Sequence, residues 1–169
     1  MLGLQAFTET RSQGRRVATM LMTPEALHML ALAFDRALPL EVCGFLVGQR
    51  GQRRPQIMDI VVARGSTGEY GAFAIPDYEA RRAKAWAEDR GLLILALFHS
   101  HPSGDRQLSD SDRAALHHCA WPWVIVTRSS REPAISLAGY GPGDGRRFAV
   151  RLDSGQTAER RGMRTPPRY

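Results

Sequence analysis

The sequence predicts an α/β fold in which a mixed β-sheet is sandwiched by helices. An aliphatic run at 92–98, LLILALF, has the length of a buried strand. Segments with helical periodicity alternate along the chain with short strand-like segments rich in β-branched residues. The 169 residues, of which 43% are hydrophobic, are enough for one domain with a substantial core.

The N-terminal half predicts a strand, a helix and a hairpin, in that order. Residues 1–15 are expected to be a flexible lead-in to a domain spanning 16–152, and residues 17–22 are predicted to be a strand. Thr23-Pro24-Glu25 predicts a helix start, because an N-cap hydroxyl, an early proline and a carboxylate all favour one. This helix should run to about residue 37, before Pro39. Two strands are then predicted at 42–48 and 56–63.

The C-terminal half predicts two helices and four strands. Its predicted elements, in order, are a turn-rich loop at 64–71, a helix at 76–90 that Gly91 ends, a central strand at 92–98, a helix from Ser109 to near Cys119, and strands at 123–127, 133–138 and 147–152. The GPGDG segment at 141–145 is a loop between the last two strands. Residues 153–169 are basic and are expected to form a disordered tail.

Composition excludes several classes of protein. No apolar run approaches the roughly 20 residues of a membrane-spanning helix, and the N-terminus lacks a secretory signal pattern, so we expect a cytoplasmic protein without a membrane partner. Cys43 and Cys119 lack CxxC spacing and are predicted to be small buried residues. The net charge of +6 and the pI near 10.1 come from scattered arginines, with Lys84 the one lysine, so we do not expect a nucleic-acid partner.

The segment HSHP at 99–102 carries the strongest chemical signal. His99 and His101 are two residues apart at the end of the predicted central strand, so their side chains share one face and can reach one metal ion. Asp112, in the first turn of the third predicted helix, can add a carboxylate to the two imidazoles. Three protein ligands leave one position for water, which is the pattern of a catalytic zinc site.

Each part of this pattern also has an ordinary explanation. An HxH pair at a strand end can be incidental, and Ser109-x-x-Asp112 alone is a helix-capping signature. Capping and metal binding are compatible, and the joined pattern H-x-H-P-x6-S-x-x-D is more specific than either part. Glu41 stands at the entry of an apolar strand, where it is either a proton acceptor beside the metal or simply the polar end of the strand.

Glu41 in EVCGFLVG, the HSHP segment and the S-x-x-D segment together resemble the JAMM (MPN-plus) zinc metalloproteases, in their compact prokaryotic form. The resemblance covers about 17–140, and no motif position departs from the family pattern. It implies the MPN fold, with layering like that of cytidine deaminases. It also implies one Zn²⁺ per chain, bound by His99, His101 and Asp112, with Glu41 as general base and Ser109 as oxyanion stabiliser.

The same resemblance implies a function. The substrate would be a ubiquitin-like or sulfur-carrier protein, hydrolysed at the peptide or isopeptide bond after its C-terminal Gly-Gly. Isopeptidase and C-terminal processing activities both stay open, as do sulfur-transfer and conjugation or defence pathways, and the oligomeric state is not predicted. The alternatives are a metal-free MPN interaction scaffold and a DNA-associated basic protein of the wider fold.

The loop at 64–73 and the three remaining histidines are the other features that bear on function. Residues 64–73 are either a flap over the substrate tail, contacting it through Glu69, Tyr70 and Phe73, or an ordinary surface loop. The other histidines, His28, His117 and His118, are predicted to be surface or packing residues, because adjacent helical positions diverge too far to share an ion.

Overall fold

The computed structural model describes residues 19–64, 75–128 and 134–154, which contain three helices and seven strands. In chain order the elements are β1 (Thr19–Met22), α1 (Pro24–Ala37), β2 (Cys43–Gln49), β3 (Gln56–Val62), α2 (Asp77–Glu88), β4 (Leu93–His101), α3 (Asp110–His117), β5 (Trp123–Arg128), β6 (Ile135–Tyr140) and β7 (Arg147–Leu152). This is the predicted order of elements, with bounds shifted by a few residues. None of the described helices combines the length and the apolar character needed to cross a bilayer.

The predicted helix boundaries have local physical causes in the structure. The Thr23 side chain caps α1 by accepting a hydrogen bond from the Ala26 N–H at 3.2 Å, and Pro24 occupies the first helical position. Gly91 has a φ of +65° just after α2, a conformation that glycine adopts without steric cost. The start of α1 and the stop after α2 are therefore confirmed.

The sheet is mixed, and it closes on itself. The strand order is β1-β3-β2-β4-β5-β6-β7, and β1 also pairs in parallel with β7 through four residue pairs. Strand β4 is central, as predicted, and it pairs antiparallel with β2 and parallel with β5. The closure by β1 was not part of the sequence prediction, which expected a mixed sheet between helices.

Helices cover both faces of the sheet, which confirms the α/β sandwich. Alternate side chains of a strand point to opposite faces, so strands β2 to β6 each contribute to two separate apolar clusters. One cluster packs on α1 and includes Leu30 and Phe34, and the other packs on α2 and α3 through Ala83, Ala87 and Leu116. Leu97 belongs to the second cluster, so His99 and His101, two and four residues further along β4, share its face.

Three details correct or limit the sequence predictions. Asp153, predicted to begin a disordered tail, donates its N–H to the Met22 carbonyl at 2.8 Å, and its side chain accepts a hydrogen bond from Gln56. The well-packed domain therefore includes this residue. Cys43 is buried as predicted, whereas Cys119 is only partly buried, just after α3; neither forms a disulfide. Residues 1–18, 65–74 and 155–169, which hold the predicted lead-in, almost all of the flap and the rest of the tail, lie outside the described residues.

Candidate metal centre

The two histidines lie at the C-terminal end of β4, inside the protein. The side chain of His99 is 1% exposed and that of His101 10% exposed. Strand β5 runs beside them, and its Trp123 ring meets the His99 ring edge-on, with centroids 5.4 Å apart. The central strand therefore delivers both imidazoles to one place and packs them there.

Helix α3 brings the carboxylate through its capping box. Ser109 Oγ accepts a hydrogen bond from the Asp112 N–H at 3.1 Å, and the Ser109 N–H donates to Asp112 Oδ2 at 2.8 Å. These two bonds fix both the backbone and the side chain of Asp112. Capping and ligand placement are thus performed by the same pair of residues.

The three side chains converge at distances that suit a shared ion. His99 Nε2 lies 2.9 Å from His101 Nε2 and 3.2 Å from Asp112 Oδ1, and His101 Nε2 lies 3.4 Å from Asp112 Oδ2. Donor atoms placed tetrahedrally at 2.0–2.1 Å around zinc are separated by about 3.3 Å. One ligand atom from each residue lies within 4.8 Å of the other two, so the three side chains can share a metal ion.

A backbone contact orients the imidazole of His101. His101 Nδ1 lies 2.9 Å from the carbonyl oxygen of Asp105. A carbonyl oxygen only accepts, so Nδ1 carries the proton, and in the neutral ring Nε2 keeps a free lone pair. This contact could not be predicted from the sequence, because it depends on a main-chain oxygen rather than on a residue type.

The electrostatics of Asp112 and His99 favour the protonation states of metal ligands. Burial opposes ionisation of Asp112, but hydrogen bonds with His101, His99 and Ser109 outweigh it and hold the carboxyl pKa far below its usual value. Burial lowers the pKa of His99 below its usual value, against the attraction of Asp112. Burial also lowers the pKa of His101, but Asp112 and the Asp105 carbonyl together raise it above the usual value. A carboxylate beside a neutral, buried imidazole is a good receptor for a cation.

An open cavity of about 180 Å³ adjoins the three side chains. The residues that line it are Glu41, His101, Ser103, Asp105, Gln107, Ser109 and Asp112. Glu41 is half-buried there, and the attraction of its charge opposes the effect of burial on the pKa of both histidines. The structure thus brings all five predicted residues together.

Sequence reasoning missed the other lining residues. Ser103, Asp105 and Gln107 come from the loop between β4 and α3, where Asp105 Oδ1 accepts a hydrogen bond from the Gln107 N–H at 2.9 Å. An Asp-x-Gln turn is too common a pattern to indicate a site.

The other three histidines do not line the cavity. His28, His117 and His118 are exposed, as predicted. Within residues 19–64, 75–128 and 134–154, the one cluster that can hold a metal ion is formed by His99, His101 and Asp112. Of the predicted flap, the structure describes only Arg64.

Comparison with known proteins gives one family and several solved structures of similar fold. A model of the prokaryotic homologues of the JAB domain matches residues 24–138. The solution structure of protein DSY2949 from Desulfitobacterium hafniense is similar with a TM-score of 0.69 and 21% identity, covering 79% of this chain and 92% of that one. No curated protein matches the sequence.

Two further solved structures share the fold. A protein from Salinibacter ruber matches with a TM-score of 0.59 and 25% identity over 81% of this chain and 94% of its own. The JAB1/MPN domain protein AF2198 from Archaeoglobus fulgidus matches with a TM-score of 0.53 and 15% identity over 80% of this chain and 99% of its own. At these identities the likeness is one of fold, that is, of the arrangement of strands and helices.

Proposed function

This chain belongs to the prokaryotic homologues of the JAB domain, and we propose that it is a zinc metallopeptidase. Its proposed reaction is hydrolysis of the peptide or isopeptide bond after the C-terminal Gly-Gly of a ubiquitin-like or sulfur-carrier protein. One observation carries the proposal: the donor atoms of His99, His101 and Asp112 converge beside a cavity that Glu41 and Ser109 also line.

The donor set fits zinc. Two imidazole nitrogens and one carboxylate oxygen are ligands that zinc accepts, and three protein ligands are typical of its catalytic sites. When bound, zinc supplies Lewis acidity, which makes water a stronger acid and a carbonyl carbon a better electrophile. His101 is ready for this role because the Asp105 carbonyl holds the proton on its other nitrogen.

Glu41 provides the proton transfers. Its carboxylate lines the cavity and accepts a proton from water as the water oxygen bonds to the scissile carbonyl carbon. The same proton then passes to the amide nitrogen as the C–N bond breaks, which yields a carboxylate and a free amine. Neither cysteine has a part in this scheme, because no covalent enzyme intermediate forms.

Ser109 stabilises the charge that grows on the carbonyl oxygen. Its Oγ accepts the Asp112 N–H, so its own hydroxyl proton is available for donation. Ser111 Oγ lies 2.9 Å away and either atom can be the donor in that pair, so the hydroxyl can turn from Ser111 to a substrate oxygen. A hydrogen bond that strengthens as charge develops lowers the activation barrier.

The test combines cleavage with metal analysis. The wild type, loaded with zinc, is incubated with a small ubiquitin-like protein whose sequence continues beyond Gly-Gly, and the products are identified by mass. Glu41→Gln should abolish cleavage and keep one zinc per chain, because all three ligands remain. His99→Ala and Asp112→Ala should lose both zinc and cleavage, and chelator should silence the wild type.

The control variant is Glu88→Gln, which changes an exposed glutamate of α2 away from the cavity and should keep full activity. Cleavage by Glu41→Gln at the wild-type rate would remove the general base from the proposal. A metal-free scaffold would instead bind the Gly-Gly protein without zinc and leave it intact.

A further inference from the structure

Ser100, between the two histidines, contacts the backbone next to Glu41. Its side chain points to the opposite face of β4 from the histidines and is buried, with 1% of the residue exposed. The Ser100 N–H donates to the Val42 carbonyl at 2.9 Å, and Ser100 Oγ accepts from the Val42 N–H at 2.8 Å. Both polar atoms of the Val42 backbone are therefore held by one residue.

These two bonds interrupt the ladder between β2 and β4. The last regular pair is Cys43 with His99. The next rung of an antiparallel ladder would join Val42 and Ser100 through reciprocal N–H to carbonyl bonds. Only one of these forms, because the serine hydroxyl takes the Val42 N–H in place of the Ser100 carbonyl. The chain thus leaves the sheet geometry at the residue that follows Glu41.

We propose that Ser100 is the positioning residue for the general base, an inference that rests on the proposed function. The hydroxyl sets the peptide plane between Glu41 and Val42, and with it the direction in which the Glu41 side chain leaves the backbone. Without the hydroxyl, the Val42 N–H turns to the Ser100 carbonyl and completes the rung. That turn moves the Glu41 carboxylate relative to the metal ligands, which stay fixed by β4 and α3.

The test separates positioning from mere stability. Ser100→Ala should lower kcat by about 10- to 100-fold, since small misplacements of a catalytic group have effects of this size. KM should stay within about twofold and zinc at one per chain. Ser100→Thr keeps the hydroxyl and should recover most of kcat. Thr23→Ala removes the side-chain cap of α1, away from the cavity, and serves as the control for a general loss of stability with kcat unchanged.

The outcomes distinguish this inference from the proposed function. If the wild type cleaves and Ser100→Ala cleaves equally fast, the positioning role is wrong while the proposed function stands. If the wild type does not cleave, crystal structures of the wild type and of Ser100→Ala decide whether Ser100 positions Glu41. A Val42 N–H bonded to the Ser100 carbonyl in Ser100→Ala, with Glu41 displaced by about 1 Å or more, supports the positioning role, and an unmoved Glu41 overturns it. If Ser100→Ala does not fold, Ser100→Cys, with a weaker acceptor of similar size, takes its place in both measurements.

Discussion

The hydroxyl of Tyr140 links the end of the sheet to the loop that orients His101. Tyr140 is buried, with 5% of the residue exposed, and its hydroxyl donates to the Arg106 carbonyl at 2.6 Å. The neighbouring Asp105 carbonyl is the one that accepts from His101 Nδ1 at 2.9 Å. Tyr140→Phe removes this single hydrogen bond, while the aromatic ring, on which the Arg147 guanidinium lies, is retained.

The size of the effect follows from the chemistry of one neutral hydrogen bond. Its net contribution to stability is about 1 kcal/mol, because Arg106 is an exposed residue and its carbonyl can bond water in place of the lost hydroxyl. In a chain of 169 residues this lowers the melting temperature by about 2–4 °C. Loss of a direct partner of a metal ligand lowers metal affinity by about 10- to 100-fold. Tyr140 bonds to Arg106, the residue after the direct partner Asp105, so we expect the zinc affinity to fall by less than tenfold.

Two assays and one matched control check this prediction. Urea unfolding in chelator gives the stability change, and competition with a chromophoric chelator gives the zinc affinity. Tyr78→Phe is the control, because the Tyr78 hydroxyl is exposed and makes only a long bond of 3.4 Å to the Arg64 carbonyl. It should leave both quantities unchanged. Equal behaviour of the two variants would refute the link between Tyr140, the loop and His101.

Two more predictions concern the stability of the fold, at Glu79 and at Gly44. Glu79 is buried, and its hydrogen bond from Arg82 holds the carboxyl pKa below the usual 4.5. A carboxyl group whose pKa is lowered in the folded protein stabilises the fold above pH 4.5, and this stabilisation is lost as the pH falls through the lowered pKa. The difference in unfolding free energy between the wild type and Glu79→Gln, measured by urea unfolding, should therefore shrink below pH 4.5. A constant gap between pH 3 and 7 would contradict this. Gly44→Ala would place its Cβ 2.3 Å from the Val61 carbonyl oxygen and 2.8 Å from the Phe98 ring. This clash should destabilise the protein by about 1–3 kcal/mol. An unchanged midpoint of urea unfolding would contradict the close packing at Gly44.

The sequence was informative where a signal is local. Thr23 and Ser109 cap the helices they were predicted to cap, since capping depends on residues three positions apart. The HSHP segment places both imidazoles on one face because strand periodicity is fixed by the backbone. The joined motif also brought Asp112 correctly to the histidines, although 11 or more residues separate them along the chain.

Features that depend on distant backbone atoms could not be predicted. The closing pair of β1 and β7 leaves no mark in local periodicity, since both strands show an ordinary pattern. The Asp105 carbonyl beside His101 and the rung replaced by Ser100 are equally invisible in residue types. Glu79 stands in the first turn of α2, where a charge is usually exposed, yet it is a buried acceptor for the Arg64 N–H, because tertiary contacts decide which polar groups are enclosed.

The pairing of β1 with β7 also has a consequence during synthesis. Met22 and Leu152 are partners, so about 130 residues must be made after β1 before the ring can close. At translation rates of about 5–20 residues per second, β1 waits roughly 6–26 s on the ribosome for its second neighbour. Until then β1 has only its two-residue pairing with β3, and the apolar side chains of its Met20 and Met22 lack a finished core. The nascent chain therefore leaves β1 accessible to chaperones and proteases until β7 completes the barrel.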